Sequence, residues 1–494
     1  MDIIAAVDVN NNIIGVNGNL PWKLKGELEY FKQMTEGHIV IMGSKTASSI
    51  APLKNRTNIV LTRNPIIDNG KSGIVYCHSF NHANYVCNEI DPGFLKKRFI
   101  IGGAEIYKEA FENGIVNKVY LTCVINWEQR NDERSNERSS EERSSDEKQS
   151  EERVTYFPKI NHSKYKIKEF IDQINIKEVD HLDPNKKELE YYRVILEKNT
   201  NEHEEYQYLS LIQQVLFEGI SRPDRTGTGT ISVFAPLQMR FSLKNNKFPL
   251  LTTKKVFTKG IIEELLWFLS GSTNADELSA KGVNIWKPNT TRSFLDKKGL
   301  HSYEEGDAGP IYGYSWRHFG HPYTNAKDNY EGKGIDQIRG VINQLRNDPY
   351  SRRIIVCSWN PSVLDQVCLP PCHVLFQFYV KPSNGKSKLS LQMYQRSGDI
   401  GLGIPFNIAS YALLLIMIAH CVDMIPDEFI HVIGDAHIYN NHVYQLREQL
   451  IRDPYPFPTL LVNTDNKDIL KFKYQDFVIN NYVSHPGIKM DMSA

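Results

Sequence analysis

Five short apolar runs set the first constraint on this chain. MDIIAAVDV (1–9), HIVIMGS (38–44), TNIVLTR (57–63), RFIIGG (98–103) and KVYLTCV (118–124) are all rich in β-formers. Helical patterns such as GELEYFKQM (26–34) and AEIYKEAF (104–111) lie between some of them. Strands that are apolar along their whole length must be covered on both faces. The pattern therefore predicts an α/β domain with a mostly parallel sheet and flanking helices.

The pattern breaks at residues 128–153, a run with ten acidic and six basic side chains and no aliphatic or aromatic one. Such a segment has nothing to bury and is expected as a solvated, expanded surface hairpin loop. Its net negative charge is the wrong sign for a nucleic-acid arm. Folded patterns resume at VTYFP (154–158) and YYRVILEK (191–198), and the polar stretch 200–205 reads as a short linker. We therefore expect one domain over 1–199 and a second over 206–494.

Lys+Arg and Asp+Glu both number 58, so net charge gives no reason to expect nucleic acid or membrane as a partner. The start has no basic segment leading into a long apolar core, so no signal peptide is expected. The apolar run 409–422 is too short to span a bilayer and reads as a core helix. Seven scattered cysteines without a CxxC pair point to a reducing, cytoplasmic setting.

Along GELEYFKQM and the two residues before it, Leu24, Leu28 and Phe31 are expected on one helical face, and Glu27 on the same face. A carboxylate among apolar side chains either binds something or reaches solvent. Burial would raise its pKa and suit it to proton transfer. Gly102–Gly103 joins a strand to a helix, which lets a backbone approach a phosphate at the helix N-terminus. With NLPW (19–22), IMGSKT (41–46), NRTNIVLTR (55–63) and YLT (120–122), residues 1–198 resemble dihydrofolate reductase.

That resemblance implies NADPH-dependent reduction of dihydrofolate. Glu27 would hold the pteridine and assist its protonation, with Thr122 in support. Phe31 and Ile50 would flank the folate, and Arg56 would take its tail carboxylate. Trp22 and Leu20 would belong to a mobile loop over the site. For NADPH the resemblance implies Ala6, Ile13, Gly18 and Leu20, then Gly43, Ser44, Lys45 and Thr46. It adds Leu61, Thr62 and Arg63, then Gly102, Gly103, Ala104, Glu105 and Ile106. The family usually has Arg and Trp where this chain has Ser44 and Ala47, so Lys45 or Arg63 would have to supply the missing cation.

The second half carries arginines in three loops: SRPDRTGTGT (221–230), DPYSRRIIVCSWNP (348–361) and LQMYQRSGDIGLGIPFNIASY (391–411). Arginine matches a phosphate with paired donors. Cys372, in LPPCHVLFQFYV (369–380), could be a buried structural cysteine, a zinc ligand with Cys368 and His373, a redox thiol, or a nucleophile whose thiolate is held by arginines. These motifs, with ELLWFLSGSTN (264–274), GPIYGYSWRHFG (309–320) and GDAHIYNNH (434–442), resemble thymidylate synthase, an α+β fold, from residue 206 onward. In this order the two halves resemble the bifunctional dihydrofolate reductase–thymidylate synthases of protists and plants.

What this implies is methylation of dUMP to dTMP by methylene-tetrahydrofolate, with Cys372 adding to the uracil ring. The phosphate would be held by Arg222, Arg396 and Ser397, and by Arg352 and Arg353 of a second copy in a homodimer. Asn407 would read the uracil edge, and His437 and Tyr439 the ribose. Glu264 would organise proton transfer. Trp286, Tyr312, Asp399, Leu402, Gly403 and Phe406 would surround the folate. The segment IKMDMSA (488–494) resembles a tail that closes over the ligands. No metal is implied in either half. Two alternatives stay in view: a reductase half kept for a structural or regulatory role, motivated by Ser44, Ala47 and the insertion; and hydroxymethyl transfer to dCMP, which would want an acid where Asn407 stands.

Overall fold

The computed structural model of the chain describes residues 1–9, 11–64, 73–125, 127 and 153–492. It divides into two compact units, Met1–Asn201 and Glu202–Ala494.

The first unit contains β1 (Asp2–Asp8), β2 (Ile13–Val16), β3 (Ile39–Gly43), β4 (Thr57–Leu61), β5 (Ile74–Cys77), β6 (Arg98–Gly102), β7 (Lys118–Ile125), β8 (Val154–Tyr156), β9 (Tyr165–Phe170), β10 (Ile176–Val179) and β11 (Glu188–Lys198). The main sheet runs β10-β11-β7-β1-β6-β3-β4-β5, with β9 also paired to β11. From β7 to β5 every neighbour is parallel, while β9, β10 and β11 enter antiparallel. All five expected strands are present. Every residue of β3 is buried, as a parallel strand covered on both faces requires.

Two sequence expectations are corrected here. Residues 128–152 lie outside the described residues, but their flanks do not form a hairpin. β7 sits between β1 and β11, whereas β8 pairs with β2. The charged run therefore connects two different sheets. The buried face of the helix Lys25–Thr35 also differs from expectation. Glu27 and Tyr30 are buried, whereas Leu28 is 39% exposed. Leu24 is the helix cap, with extended backbone, so counting the helical face from it misplaces Leu28.

The second unit is α+β. Its sheet contains β12 (Ile220–Arg222), β13 (Thr230–Phe234), β14 (Met239–Ser242), β15 (Ile355–Cys357), β16 (His373–Lys381), β17 (Lys388–Asp399) and β18 (Ile425–Tyr439). The order is β12-β13-β18-β17-β16-β15, with β14 also paired to β18. Only β17 and β18 are parallel, joined by the crossover helix Gly403–Cys421. This 19-residue helix is long and apolar enough to cross a membrane, so the run judged too short at 409–422 is a longer element. Its window is 89% buried inside the unit, which makes it the core helix. One exposed turn would be needed to make it a surface helix, and it has none beyond its ends.

The stretch read as a linker is built into the second unit at its end. Glu205, fully buried, caps the helix Tyr206–Glu218. Its carboxylate accepts from the backbone N–H of Thr252 and Thr253 and from both threonine hydroxyls, at 2.6–3.1 Å. Glu204 accepts from Ser242 N–H and pairs with Lys247. Glu205→Ala strands four buried donors. We expect a loss of about 3 kcal/mol or more in the second unit's stability. Denaturant unfolding followed through a second-unit tryptophan checks this; an unchanged midpoint contradicts it.

Candidate active sites

In the first unit Ala6, Gly43, Leu61, Gly102 and Thr122 lie in the carboxyl-terminal halves of parallel strands, where open α/β sheets bind ligands, whereas Arg56 precedes β4 at its amino end and Ile13 belongs to β2. Thr122 of β7 pairs with Ala6 of β1, Gly102 of β6 with Met42 of β3, and Gly43 of β3 with Leu61 of β4. The helices Ser44–Ile50 and Ala104–Glu112 start directly from Gly43 and Gly103. Gly102 has φ 134° and its peptide to Gly103 is cis. A Cβ on Gly103 would lie 3.2 Å from Thr46 Oγ1, and one on Gly43 would lie 3.0 Å from Ile106 Cγ1. Glycine is what lets these two turns pack this closely against Thr46 and Ile106.

Glu27 is close enough to act on Tyr107, whose hydroxyl donates to Ile4 O at 3.0 Å. Its carboxyl is buried, and desolvation pushes its pKa up to about 7, with Glu178 adding to the rise. Thr122 is buried and Phe31 half-buried, while Ile50 is exposed at the end of its helix. Arg56 is fixed by Thr35 Oγ1 at 2.9 Å and by the carbonyls of Lys54 and Lys32. Ile13 and Trp22 are buried in a cluster with Ala6, whereas Leu20 is exposed and Gly18 takes a left-handed turn. Ser44, Lys45, Arg63 and Glu105 are exposed; Thr46, Ala104 and Ile106 are half-buried, and Thr62 is buried. Ala47 packs on the core cluster around Val40 and Met42.

In the second unit Cys372 is held through its backbone. Its N–H donates to the Tyr312 hydroxyl at 2.7 Å, and its carbonyl accepts from Arg396 N–H at 2.9 Å. Arg396 also donates to the carbonyls of Pro370 and Pro371, with its guanidinium 5.3 Å from the Trp359 ring centre. Burial pushes the thiol up, and Arg396 and Arg225 pull it back down. Cys368, by contrast, is fully buried and pushed up to about 12, which makes it a structural thiol. All seven cysteines are free.

Around Cys372 the structure brings most of the expected residues together. Glu264 accepts from Trp286 Nε1 at 2.7 Å, and burial pushes its pKa up to about 7. Its neighbour Glu263 is also buried but is paired with Lys281, so the two acids of IIEELLWFL divide into one structural and one unpaired by any cation. The Tyr312 ring meets Trp286 edge-on and His373 at a tilt. Asn407 Oδ1 accepts from Gln395 at 3.1 Å, and Gln395 Oε1 faces His431 Nε2 at 2.8 Å. Tyr439 senses the charges of Asp399, Arg225 and Cys372, and its ring meets His437. His437 and Arg222 share Asp435, at 3.0 and 2.9 Å. Ser397 lies one residue past Arg396. Asp399 accepts from Gly401 and Leu402 N–H at the start of the helix that carries Gly403, Phe406 and Asn407.

Arg352 and Arg353 are exposed just before β15. Three residues with a part here were not singled out from sequence: Arg225, Gln395 and His431. Arg225 was visible as the second arginine of SRPDRTGTGT. Gln395 and His431 act through strand register, which no local motif carries.

Both buried carboxyls bind a proton more tightly in the folded chain than the ordinary value of 4.5 allows. From there to about 7 the folded state holds the extra proton, so each group costs stability as pH rises through that window. An infrared carboxyl titration should show two groups with midpoints near 7, one lost in Glu27→Gln and the other in Glu264→Gln. Midpoints near 4.5 for both contradict the burial argument.

Comparison with known proteins follows this division. The Dihydrofolate reductase family model matches residues 1–166, and the Thymidylate synthase family model matches 206–494. A bifunctional dihydrofolate reductase-thymidylate synthase of Glycine max is 44% identical, covering 97% of this chain and 93% of that protein. One of Plasmodium berghei is 40% identical over 99% and 85%. Thymidylate synthase of Saccharomyces cerevisiae is 56% identical over 59% of this chain and 97% of its own. With both halves matched in this order along nearly the whole chain, the protein belongs to the bifunctional dihydrofolate reductase–thymidylate synthase family.

Proposed function

We propose that one chain makes dTMP at the Cys372 site and reduces the dihydrofolate it releases at the Glu27 site, with the residue roles given below. The carrying observation is the Cys372 backbone clamped between Tyr312 and Arg396, with the thiol facing two arginines. The nucleophile's backbone is held by the chain's own groups, which favours a fixed attack position.

At the synthase site, Arg222, Arg396 and Ser397 bind the dUMP phosphate, and His437 and Tyr439 the ribose hydroxyl. Gln395 donates to Asn407 Oδ1, which makes Nδ2 the side of the amide that would donate to uracil O4. A cytosine amino group there would meet a donor, so the site rejects dCMP. Cys372 Sγ, as thiolate, bonds to carbon 6, and the electrons of the 5,6 double bond move to carbon 5, which would attack the methylene group as its bond to the folate nitrogen breaks. Carbon 5 then loses its proton, the tetrahydrofolate gives hydride to the methylene carbon and leaves as dihydrofolate, and Cys372 departs from carbon 6 to release dTMP. Glu264, neutral up to about pH 7, can both give and take a proton through bound water. Trp286, Leu402, Gly403, Phe406 and Asp399 line the folate.

At the reductase site the open turns at Gly43 and Gly102–Gly103, with two helix N-termini beside them, fit a dinucleotide pyrophosphate. Thr46, Ala104, Glu105 and Ile106 border it, and Lys45, Thr62 and Arg63 are placed for the adenosine phosphate. Ala6, Ile13, Gly18, Leu20, Ser44 and Leu61 complete the pocket. NADPH supplies hydride when bound. Glu27 binds the pteridine amino group and moves the proton, and Thr122 orients it. Phe31 and Ile50 flank the folate, and Arg56, already fixed by three acceptors, meets its carboxylate.

The dimer part of the reading rests on the outer face of the second unit's sheet. Cys357, Leu375, Tyr394 and Val432 form a half-buried cross-strand row there, and Tyr379 is 68% exposed. A second copy would cover this face and deliver its Arg352 and Arg353 to the first copy's phosphate site. The fully reduced cysteine set accords with a cytoplasmic location.

Two experiments check this. Cys372→Ser should abolish dTMP formation and leave NADPH-dependent reduction of added dihydrofolate intact; joint loss at normal folded yield contradicts separate sites. Mixing inactive Cys372→Ser with an inactive Arg352→Ala, Arg353→Ala chain should restore about one quarter of the wild-type synthase rate, because half the random dimers carry one intact site. No recovery on mixing contradicts shared sites.

A further inference from the structure

The segment His485–Met492 is tied down at both ends. At its root, His485 N–H donates to Thr252 O at 2.7 Å, and Arg452 donates to Pro486 O at 2.8 Å. At its far end, His442 Nε2 meets Asp491 O at 2.7 Å. A carbonyl only accepts, so Nε2 carries the hydrogen. Among the described residues this is the only hydrogen bond of residues 487–492.

The His442 side chain is completely buried, and its Nδ1 has no hydrogen-bond partner. Nδ1 stands 3.9 Å from Asp399 Oδ1. Gly401 lies between the imidazole and the terminal segment. A Cβ there would sit 2.8 Å from His442 Nδ1 and 3.1 Å from the Met490 sulfur. The same turn is fixed by Asp399, which accepts from Gly401 N–H, and by Lys254, which donates to Gly401 O. One imidazole therefore touches both the turn carrying Asp399 and the main chain of the segment.

We propose that His442 is a positioning residue of the synthase. It latches the segment at Asp491 onto the Asp399 turn, so that folate occupancy and closure of the segment stabilise each other. The inference rests on the reading of Asp399 as a folate contact. Because the latch reads a main-chain carbonyl, it is insensitive to the side chain at 491. Because the imidazole is fully buried and its bond is the segment's one described hydrogen bond beyond Pro486, losing the donor removes that tie and favours the open segment. An open segment holds the folate less well and leaves dUMP, bound deeper by the arginines, little affected.

The test uses five full-length or shortened chains: wild type, His442→Leu, His442→Gln, a chain ending at Ile488, and that chain with His442→Leu. The readouts are KM for methylene-tetrahydrofolate and for dUMP, and the lifetime of the covalent complex with 5-fluoro-dUMP, whose fluorine cannot leave as a proton does. His442→Leu should raise the folate KM about 5-fold, the scale of one hydrogen bond, and leave the dUMP KM within about twofold. It should shorten the complex's lifetime by a similar factor. His442→Gln, which keeps an N–H donor, should recover part of the loss. In the shortened chain His442→Leu should add nothing, since the partner is gone. An unchanged dUMP KM reports an intact synthase unit. Effects that multiply in the double variant, or an unchanged folate KM in His442→Leu, overturn the latch. If Asp399→Ala leaves the folate KM unchanged while the non-additivity holds, the folate reading of Asp399 fails and the latch itself stands.

Discussion

Desolvation of a single carboxyl group is the interaction on which each half of the enzyme depends. Glu27 and Glu264 are both buried among apolar side chains, and burial is the largest cause of the rise of each to about 7. In water either group would be fully ionised at neutral pH and could not give up a proton. The folds exist around these groups. The first unit sets Glu27 at a helix face next to the parallel-strand crevice. The second sets Glu264 on the helix Thr258–Ser270, with Trp286 Nε1 as its described hydrogen-bond donor. A cation beside either would restore the ordinary value, which is why Lys281 being spent on Glu263 matters.

The two units reach this by different architecture. Parallel strands leave their carboxyl ends and the helix N-termini on one edge, and a dinucleotide site needs little more than glycines there. The second unit depends on register. The core helix Gly403–Cys421 links β17 to β18, so Arg396, Ser397 and Asp399 on one strand stand beside His437 and Tyr439 on the next. Asp399 pairs directly with His437 in that register. The Cys372 loop then only has to be pinned, by Tyr312 on one side and Arg396 on the other.

Much of this could be read from the chain alone. The five apolar runs announced the parallel sheet, because strands covered on both faces leave no polar alternation to misread. The arginine loops and Cys372 were visible because their residue types are costly without a ligand. What stayed hidden depends on partners far away in sequence. Gln395 and His431 orient Asn407 across three elements. Leu28 was misplaced because a cap residue was counted as helix. The charged run at 128–153 suggested a hairpin, since sequence proximity cannot show that β8 pairs with β2. Arg352 and Arg353 belong to a different level again, because their proposed site lies in a second copy.

The chemistry of the two units closes on itself: the synthase releases dihydrofolate and the reductase consumes it. The most direct test mixes the purified chain with dUMP and methylene-tetrahydrofolate, follows dihydrofolate by absorbance, and then adds NADPH. The account predicts that dihydrofolate appears with dTMP and disappears as NADPH is oxidised. Dihydrofolate that accumulates and persists in the presence of NADPH would contradict it.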